Sequence, residues 1–415
     1  MDVIYTCCAG LDVHKKTVVA CRLSRDAKGQ ALRETRTFST MTCDLLKLSD
    51  WLQEGHCTHV AMESTGEYWK PVYNLLEAHF ELLLVNAKHV KAVPGRKTDV
   101  NDAQWLAGLL QHGLLRASFV PPAPQRALRA LTRARSSFVR ERATLCNRVQ
   151  KTLEDTNIKL AAVATDVLGV SGRAMLAALL AGQSDAAALA DLAKGRLRQK
   201  REQLEQALSG RVQGHHRLIL SELLCQIDSL EESIARLDTA IEKECTAHAP
   251  FEQAVVLLDT IPGVARTMAQ MIVSEIGTDM SRFATANHLA AWAGVAPGNH
   301  ESAGKRLAGR TRQGNQSLRA GLVQAAHAAA HTRGTYLAAQ YHRLAARRGQ
   351  KRAILAVAHS ILVMAYHMIR DQEPYRELGA DYFDRCRPEA TVKRLTGRLH
   401  NLGFKVTLEA LPLAA

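Results

Sequence analysis

The chain has 415 residues, with 54 Lys and Arg against 40 Asp and Glu, so its formal net charge at pH 7 is +14. Hydrophobic residues at 47% and charged residues at 23% are ordinary globular values, which exclude a disordered or collagen-like chain. The length predicts about two to four domains. A pI near 9.5 favours a polyanionic partner, either nucleic acid or an anionic membrane surface.

The N-terminal 115 or so residues alternate between strand and helix patterns, which predicts an α/β domain. We expect strands over residues 4–11, 17–23, 37–40, 58–63 and 81–85, and helices over 45–52, 71–78 and from about 98 onward. Several acidic residues fall where these elements begin or end. The pattern therefore predicts a site at one edge of the sheet.

Pro121, Pro122 and Pro124 mark a domain boundary, after which the pattern is almost wholly helical. A 3-4-3-4-3-4 apolar seam is formed by Leu220, Leu223, Ile227, Leu230, Ile234, Leu237 and Ile241. This seam favours a coiled-coil hairpin or a dimer contact, and a helix packed on its own domain is an equal alternative. The segment Ile261-Pro262-Gly263-Val264 resembles a helix-hairpin-helix, whose backbone amides would bind DNA phosphates.

The basic residues are concentrated in two stretches. Residues 116–151 contain nine Lys or Arg and one acid, a net +8, and residues 301–352 contain eleven and one, a net +10. We predict nucleic-acid contacts from these stretches, with ordinary solvated helix faces as the alternative. The residues predicted to contact nucleic acid are Arg126, Arg129, Arg133, Arg135, Arg140, Lys305, Arg306, Arg310, Arg312 and Arg319.

Nine cysteines occur without a C-x-x-C pair, which argues against a zinc ribbon or a redox motif. No basic segment precedes an apolar run at the N-terminus, so we expect no signal peptide. The most apolar late stretch, residues 353–369, is shorter than the roughly 20 residues that cross a bilayer, and a buried helix explains it better. We therefore expect a cytoplasmic protein with no membrane partner.

Four acids stand out by their positions. Asp12 and Glu63 each close a predicted strand, and Asp99 and Asp102 lie three apart at a helix start, hence on one face. Carboxylates gathered in this way can hold two divalent cations about 3.5–4 Å apart, and Mg²⁺ suits such oxygen ligands. Each acid alone could instead serve a turn or the helix dipole.

A second constellation surrounds Ser302, which lies among glycines and basic side chains in residues 299–315. Its composition indicates a phosphate-binding loop, in which a serine hydroxyl is also a candidate nucleophile. His327 and His331 lie four residues apart, but without an adjacent Glu a zinc site is the weaker interpretation. Helix packing or a DNA contact is the stronger one.

Taken together, these motifs resemble the DEDD transposases of the bacterial insertion-sequence family numbered one hundred and ten. The matching residues are Gly10-Leu-Asp12-Val-His-Lys15, Glu63-Ser-Thr-Gly66, Lys97-Thr-Asp99-Val-Asn-Asp102-Ala103, Ile261-Pro-Gly263-Val, Phe283-Ala, Ala293-Gly-Val-Ala-Pro297 and Glu301-Ser302. They run in the family's order over most of the chain. Departures are Ala265, where a second hairpin glycine is usual, and a long Ala-rich insert at 161–197.

The resemblance implies an RNase H-like (RuvC-like) domain at 1–118, a helical and coiled-coil spacer at 119–250, a mainly α transposase domain at 251–375 and a tail at 376–415. It implies that Asp12, Glu63, Asp99 and Asp102 bind Mg²⁺, two ions per site, and that Ser302 is the nucleophile of a 5′-phosphoserine intermediate. The implied partners are donor and target DNA, a guide (bridge) non-coding RNA, and further copies of the chain as a dimer or tetramer.

Two other functions stay open from the sequence. A metal-dependent junction resolvase or nuclease would use the same acids with water as the nucleophile, leaving Ser302 to bind phosphate. A non-catalytic nucleic-acid-binding protein would use only the two basic stretches.

Overall fold

The structure, a computed structural model, describes residues 3–25, 30–64, 66–86, 102–298, 301–302, 304–306, 311 and 313–409. The chain divides into two units, Met1–Pro121 and Pro122–Ala415, with the division at the Pro121-Pro122 pair. The predicted site residues Asp99, Arg310 and Arg312 lie outside the described residues.

A five-stranded mixed sheet forms the centre of the first unit. Its strands are β1 (Cys8–Val13), β2 (Thr17–Arg25), β3 (Ala31–Ser39), β4 (His59–Glu63) and β5 (Glu81–Val85). Their order is β3-β2-β1-β4-β5, in which β1 pairs antiparallel to β2 and parallel to β4. β2 pairs antiparallel to β3, and β4 pairs parallel to β5.

Helices cover both faces of this sheet. They are α1 (Thr42–Glu54), α2 (Trp69–Leu76) and α3 (Asp102–Gln111). One face packs on α1 and α2 through residues such as Leu11, Leu48 and Leu76, and the other face packs on α3 through Ala103 and Ala107. A mixed sheet of this kind, followed by a mainly helical chain, is compatible with the RNase H-like fold class.

The strand predictions hold with two corrections. β5 has the predicted bounds, but β1 begins at Cys8 and not at Ile4, because the amides of Ile4 and Tyr5 donate to the carbonyl of Gln111 at the end of α3. β3 is longer than the predicted residues 37–40, because it pairs with β2 along its whole length. Its polar residues hid this edge strand from the hydrophobic pattern.

The second unit is almost entirely helical. Its α-helices are α4 (Ala123–Asp155), α5 (Leu160–Val163), α6 (Val170–Leu180), α7 (Ala186–Ala190), α8 (Arg201–Leu208), α9 (Gly214–Ala247), α10 (Ala249–Asp259), α11 (Arg266–Ile276), α12 (Ala286–Ala293), α13 (Gln316–His331), α14 (Tyr336–Arg348), α15 (Gln350–Asp371), α16 (Tyr382–Arg385) and α17 (Pro388–Asn401). Two 3₁₀ helices (Gly195–Lys200 and Met280–Arg282) and a hairpin of β6 (Glu301–Ser302) and β7 (Lys305–Arg306) complete the described elements.

The long helices α4 and α9 run antiparallel, and the predicted apolar seam lies on α9. Arg135 pairs with Asp238 and Arg142 with Glu231. Residue numbers thus increase along α4 where they decrease along α9, as in an antiparallel pair. At one end, Leu220, Leu223 and Ile227 of the seam pack with residues of α4 to α8 in a separate hydrophobic core. The seam therefore packs against a helix of its own chain.

The larger core of the second unit surrounds α15. This helix has 22 residues, which is longer than the predicted apolar stretch of residues 353–369. An apolar window within it has a mean hydropathy of 1.5, so by length and composition the helix could cross a bilayer. Within the unit, however, 56% of that window is buried, and residues such as Val357, Ile361 and Leu362 pack against α13 and its neighbours. The expected burial explains its composition.

Candidate active site

The strand register places Asp12 and Glu63 on the same face of the sheet. Alternate residues of a strand point to opposite faces. Leu11 and Met62 are register partners in the parallel pair β1–β4 and belong to the core on the α1 and α2 side. Asp12 and Glu63 are the next residue of each strand, so both face the side that α3 covers.

A close contact at Gly10 fixes the position of α3 on this face. A Cβ at Gly10 would lie 2.3 Å from the carbonyl oxygen of Ala103 and 2.4 Å from the amide nitrogen of Ala107, so only glycine fits. The Cys8 thiol lies 3.8 Å from the carbonyl oxygen of Ala107. The strand β1 and the helix α3 are therefore antiparallel, so that Asp12, near the C-terminal end of β1, lies towards the N-terminus of α3. Asp102, the first residue of α3, thus begins the helix at the Asp12 end of β1.

We call this end of the sheet, with Asp12, Glu63 and Asp102, the acid edge. All three side chains are half-buried. A carboxylate oxygen of Asp12 lies 3.1 Å from Nε2 of His14, which is largely exposed. Over the described residues, which omit Asp99, no group of three or more His, Cys, Asp or Glu side chains is close enough to share one metal ion. The donor set of carboxylate oxygens is nevertheless the one that Mg²⁺ prefers.

Two cysteines buried near the N-terminal ends of β1 and β4, opposite the acid edge, are unsuited to nucleophilic chemistry. Burial raises the pKa of the Cys8 thiol to about 12, and burial likewise raises the pKa of Cys57 to about 12. The reactive form of cysteine is the thiolate, which is scarce at neutral pH when the pKa is this high. These two thiols are therefore poor candidates for the nucleophile.

Ser302 lies in the β6–β7 hairpin, where it is the register partner of Lys305. Gly304 precedes Lys305 and has φ +73°, a left-handed conformation that short hairpin loops require. Both Gly304 and Lys305 are exposed. The fold thus presents the backbone of Ser302 in a tight turn with a lysine on the opposite strand.

The segment that contains this hairpin, residues 295–313, is named the serine loop, and its two ends are held together. A Cβ at Gly314 would lie 2.3 Å from the amide nitrogen of Gly294, so the backbones of the two glycines are in direct contact. The amide of Asn315 donates to the carbonyl of Trp292 at 3.3 Å. The loop therefore leaves and re-enters the helical core at one point.

A buried carboxylate stabilises this base. The Glu275 side chain of α11 is fully buried and accepts two hydrogen bonds from Arg133, at 2.7 and 2.9 Å. Its Oε2 atom also accepts from Nδ2 of Asn315 at 2.6 Å, while Oδ1 of Asn315 caps α13 by accepting from the amide of Leu318. Arg129 adds a contact of 3.3 Å to Glu275. One carboxylate thus connects α4, α11 and the end of the serine loop.

These contacts change the interpretation of several predicted DNA-binding arginines. Arg129 and Arg133 bind Glu275, and Arg135 binds Asp238, so their guanidinium groups stabilise the second unit itself. Burial lowers the pKa of Arg129 below its usual value. Arg140 is exposed and its Nε donates to the carbonyl of Ser136.

The remaining predicted contacts fall on different elements. Arg126 lies on α4, Lys305 and Arg306 form β7, and Arg319 lies on α13. Nucleic-acid binding by all of these residues stays a prediction.

The hairpin-like turn at Gly263 packs inside the unit. The turn joins α10 to α11, as expected, and Gly263 has φ +85°. A Cβ at this position would lie 2.5 Å from the amide nitrogen of Ala329 and 2.6 Å from the carbonyl oxygen of Ala325. The glycine therefore serves close packing on α13. The histidines of α13 form a local contact, in which Nδ1 of His331 lies 2.7 Å from the carbonyl oxygen of His327.

The pairing of Glu275 with Asn315 was not predicted from the sequence, in which Asn315 belonged only to the predicted phosphate-binding loop. A usable signal existed for Glu275, which is a single carboxylate within the otherwise apolar end of α11, because such a group is buried only when paired. Its partners Arg133 and Asn315 are 142 and 40 residues away in sequence, so they could not be named without the tertiary structure.

Comparisons with known proteins match the segments that contain the predicted acids and Ser302. A family model for DEDD-type transposases, described as Transposase, matches residues 9–158, which contain all four predicted acids. A second model, described as Transposase IS116/IS110/IS902 family, matches residues 255–343, which contain Ser302.

Curated relatives agree with these matches. The chain is 28% identical to a probable family 20 transposase of Pseudomonas aeruginosa over 273 residues, covering 65% of this chain and 70% of the relative. It is 26% identical to the transposase for insertion sequence element IS1111A of Coxiella burnetii, covering 71% and 72%. A pilin gene-inverting protein of Moraxella bovis is 24% identical over 382 residues, covering 88% of this chain and 96% of the relative.

Proposed function

This chain belongs to the IS116/IS110/IS902 family of transposases, and on that premise we propose that it recombines DNA through Ser302, with the acid edge as its metal site. It is a DNA transposase, an enzyme that cuts and rejoins DNA strands. The observation that supports the acid edge is the placement of Asp12, Glu63 and Asp102 on one face and at one end of the sheet.

In the proposed reaction, Oγ of Ser302 attacks the phosphorus of a DNA phosphodiester. The new bond joins serine to the 5′-phosphate, the bond from phosphorus to the 3′ oxygen breaks, and the serine proton is released. The departing oxygen takes up a proton and becomes a 3′-hydroxyl. Attack by the 3′-hydroxyl of an exchanged strand reverses these changes, so no external energy source is required.

The carboxylates Asp12, Glu63, Asp99 and Asp102 would hold Mg²⁺, two ions per site. When bound, these ions neutralise charge on the phosphoryl oxygens. Lys305, opposite Ser302 in the hairpin, adds a cation beside the same phosphate. The network at Glu275 holds the base of the serine loop so that the hairpin starts from a fixed position.

The reaction requires groups from both units at one phosphate, since the acids belong to the first unit and Ser302 to the second. We include in the proposal that copies of the chain assemble as a dimer or tetramer and that a guide RNA pairs with donor and target DNA. The two basic stretches, net +8 and +10, support contacts with more nucleic acid than a single cut site provides.

A covalent-trapping experiment tests the serine. Wild-type protein is incubated with Mg²⁺, the RNA transcribed from the element and DNA that carries the element junction, and the reaction is stopped in SDS. We expect a protein–DNA adduct on the 5′-phosphate of the cut strand, which Ser302→Ala abolishes. Ser184→Ala, at an exposed serine of the same unit, should leave the adduct unchanged.

The outcomes separate the candidate functions. Strand cleavage at the normal rate by Ser302→Ala would contradict the covalent mechanism and favour a nuclease that uses water. Loss of all cleavage in Asp12→Asn, with DNA binding retained, supports the acid edge, whereas full recombination by Asp12→Asn would refute it. Omission of the RNA, or digestion with ribonuclease, should stop the reaction if guidance by RNA is correct.

A further inference from the structure

A basic groove lies in the second unit, away from the serine loop, between α14 and the C-terminal segment. Its cavity has a volume of about 660 Å³. The charged side chains that line it are Arg343, Arg347, Arg387, Arg394 and Asp384. Four guanidinium groups therefore share the groove with one carboxylate, a net charge of +3.

Aromatic contacts build the wall of this groove. The ring of Tyr336, at the start of α14, stacks on Phe383 at 5.2 Å and 22° and meets Tyr382 edge-on at 5.1 Å. A carboxylate oxygen of Glu377 accepts from the amides of Tyr336 and Gly379, both at 2.8 Å. The segment after α15 is thus fixed to α14 by aromatic and backbone contacts.

The arginines of the groove are only partly neutralised. Arg343 lies over the Phe383 ring at 4.7 Å, and Arg394 makes a long ion pair of 3.7 Å with Asp384. Arg347 and Arg387 are exposed, and neither forms an ion pair with any residue in the part of the chain that the structure describes. Four like charges held together with a single counter-charge favour a polyanion in the groove.

We propose that this groove binds the phosphate backbone of duplex DNA, outside the strand positions that are cut. DNA is the substrate of the family, and guanidinium groups gathered on one concave surface can each donate paired hydrogen bonds to phosphate oxygens. The groove extends beyond residue 343, where the family match ends, and uses the tail that the proposed chemistry leaves without a role. It therefore adds a DNA contact to the proposed function.

The test compares two triple variants of the full chain with the same change in charge. Arg347→Gln/Arg387→Gln/Arg394→Gln removes three groove cations. Lys393→Gln/Arg398→Gln/Lys405→Gln removes three exposed cations from the same C-terminal segment, none of which lines the groove or belongs to either basic stretch. Fluorescence anisotropy measures binding of a labelled duplex of random sequence in EDTA, so cleavage cannot contribute, and a labelled RNA hairpin is measured in parallel.

We expect the groove variant to bind duplex DNA on the order of tenfold more weakly, with a salt dependence smaller by about 2 to 3 phosphate contacts. The control variant should bind as the wild type does. Equal weakening by both variants, or no weakening by either, would overturn the proposal, as would a loss confined to the RNA hairpin. Matching thermal unfolding midpoints establish that both variants fold. Because binding is measured without cleavage, this result is independent of the role of Ser302.

Discussion

The acid edge of the first unit and the serine loop of the second are positioned in different ways. At the acid edge, the strand register of β1 and β4 and the contact at Gly10 place three carboxylates by backbone geometry alone. The serine loop is fixed at its base, by the Gly294–Gly314 contact and by side chains that meet at Glu275. Its hairpin tip is held only by the pairing of β6 with β7 among the described contacts.

This difference fits the two proposed roles. Metal ligands must keep a constant geometry, which sheet register provides. A nucleophile that joins and leaves a DNA strand must reach its phosphate, so a loop with a rigid base suits it. Mutations that separate the two regions should therefore have distinct effects.

The largest effect is expected at the base of the serine loop. Glu275→Ala would leave Arg133, Arg129 and Asn315 without their common acceptor in a buried site. Breaking a buried pair in this way lowers the free energy of unfolding by about 3–5 kcal/mol. Urea denaturation measures this loss, and DNA cleavage should fall with it.

A matched control is Glu222→Ala, at an exposed position of α9, which should change stability by less than about 0.5 kcal/mol. A similar small change in Glu275→Ala would show that the buried network does not stabilise the loop base.

A smaller effect is expected at the acid edge. Gly10→Ala would push α3 away from β1, because its Cβ would lie 2.3 Å from a backbone oxygen. Overpacking of this kind costs about 1–3 kcal/mol and should also reduce Mg²⁺-dependent cleavage by displacing Asp102. The control is Gly108→Ala in α3. A Cβ at Gly108 has no atom within 4 Å, so this substitution should raise the free energy of unfolding by about 0.5–1 kcal/mol. Equal free energies of unfolding for the two variants would contradict the close packing of α3 on β1.

The smallest effect concerns an ion pair outside both regions. Hydrogen bonds from Arg266 hold the pKa of Glu242 below its usual value. A carboxyl group with a lowered pKa in the folded state stabilises the protein above its ordinary pKa, and this stability is lost as the pH falls through the folded value.

Thermal unfolding midpoints from pH 7 to pH 3 should therefore decline less steeply in Glu242→Gln than in the wild type, in the range below about pH 4.5. Because the Glu242 side chain is 45% exposed, solvent screening limits the effect to about 1 kcal/mol or less. Identical pH profiles for the two proteins would show that this exposed pair contributes nothing.

Predictions from the sequence succeeded where the signal was local. The bounds of β5 and the buried character of α15 follow from patterns within a few residues. The β3 strand was underestimated because an edge strand with polar side chains lacks the hydrophobic alternation that identifies buried strands. The pairing of Arg129 and Arg133 with Glu275 could not be predicted, because a single sequence shows a charge but not its partner; their contact with nucleic acid stays a prediction.

The sequence by itself determined the family, since the motifs around the acids, the Pro-Gly turn and Ser302 are local features in a fixed order. Only the tertiary structure decided which charges are available for nucleic acid. Contacts between distant segments turn two basic residues of α4 inward to Glu275 and bring Arg387 and Arg394 of the C-terminal segment to α14. The net charge is a sum over the sequence, whereas the cations that can bind nucleic acid are those that the fold does not pair with carboxylates.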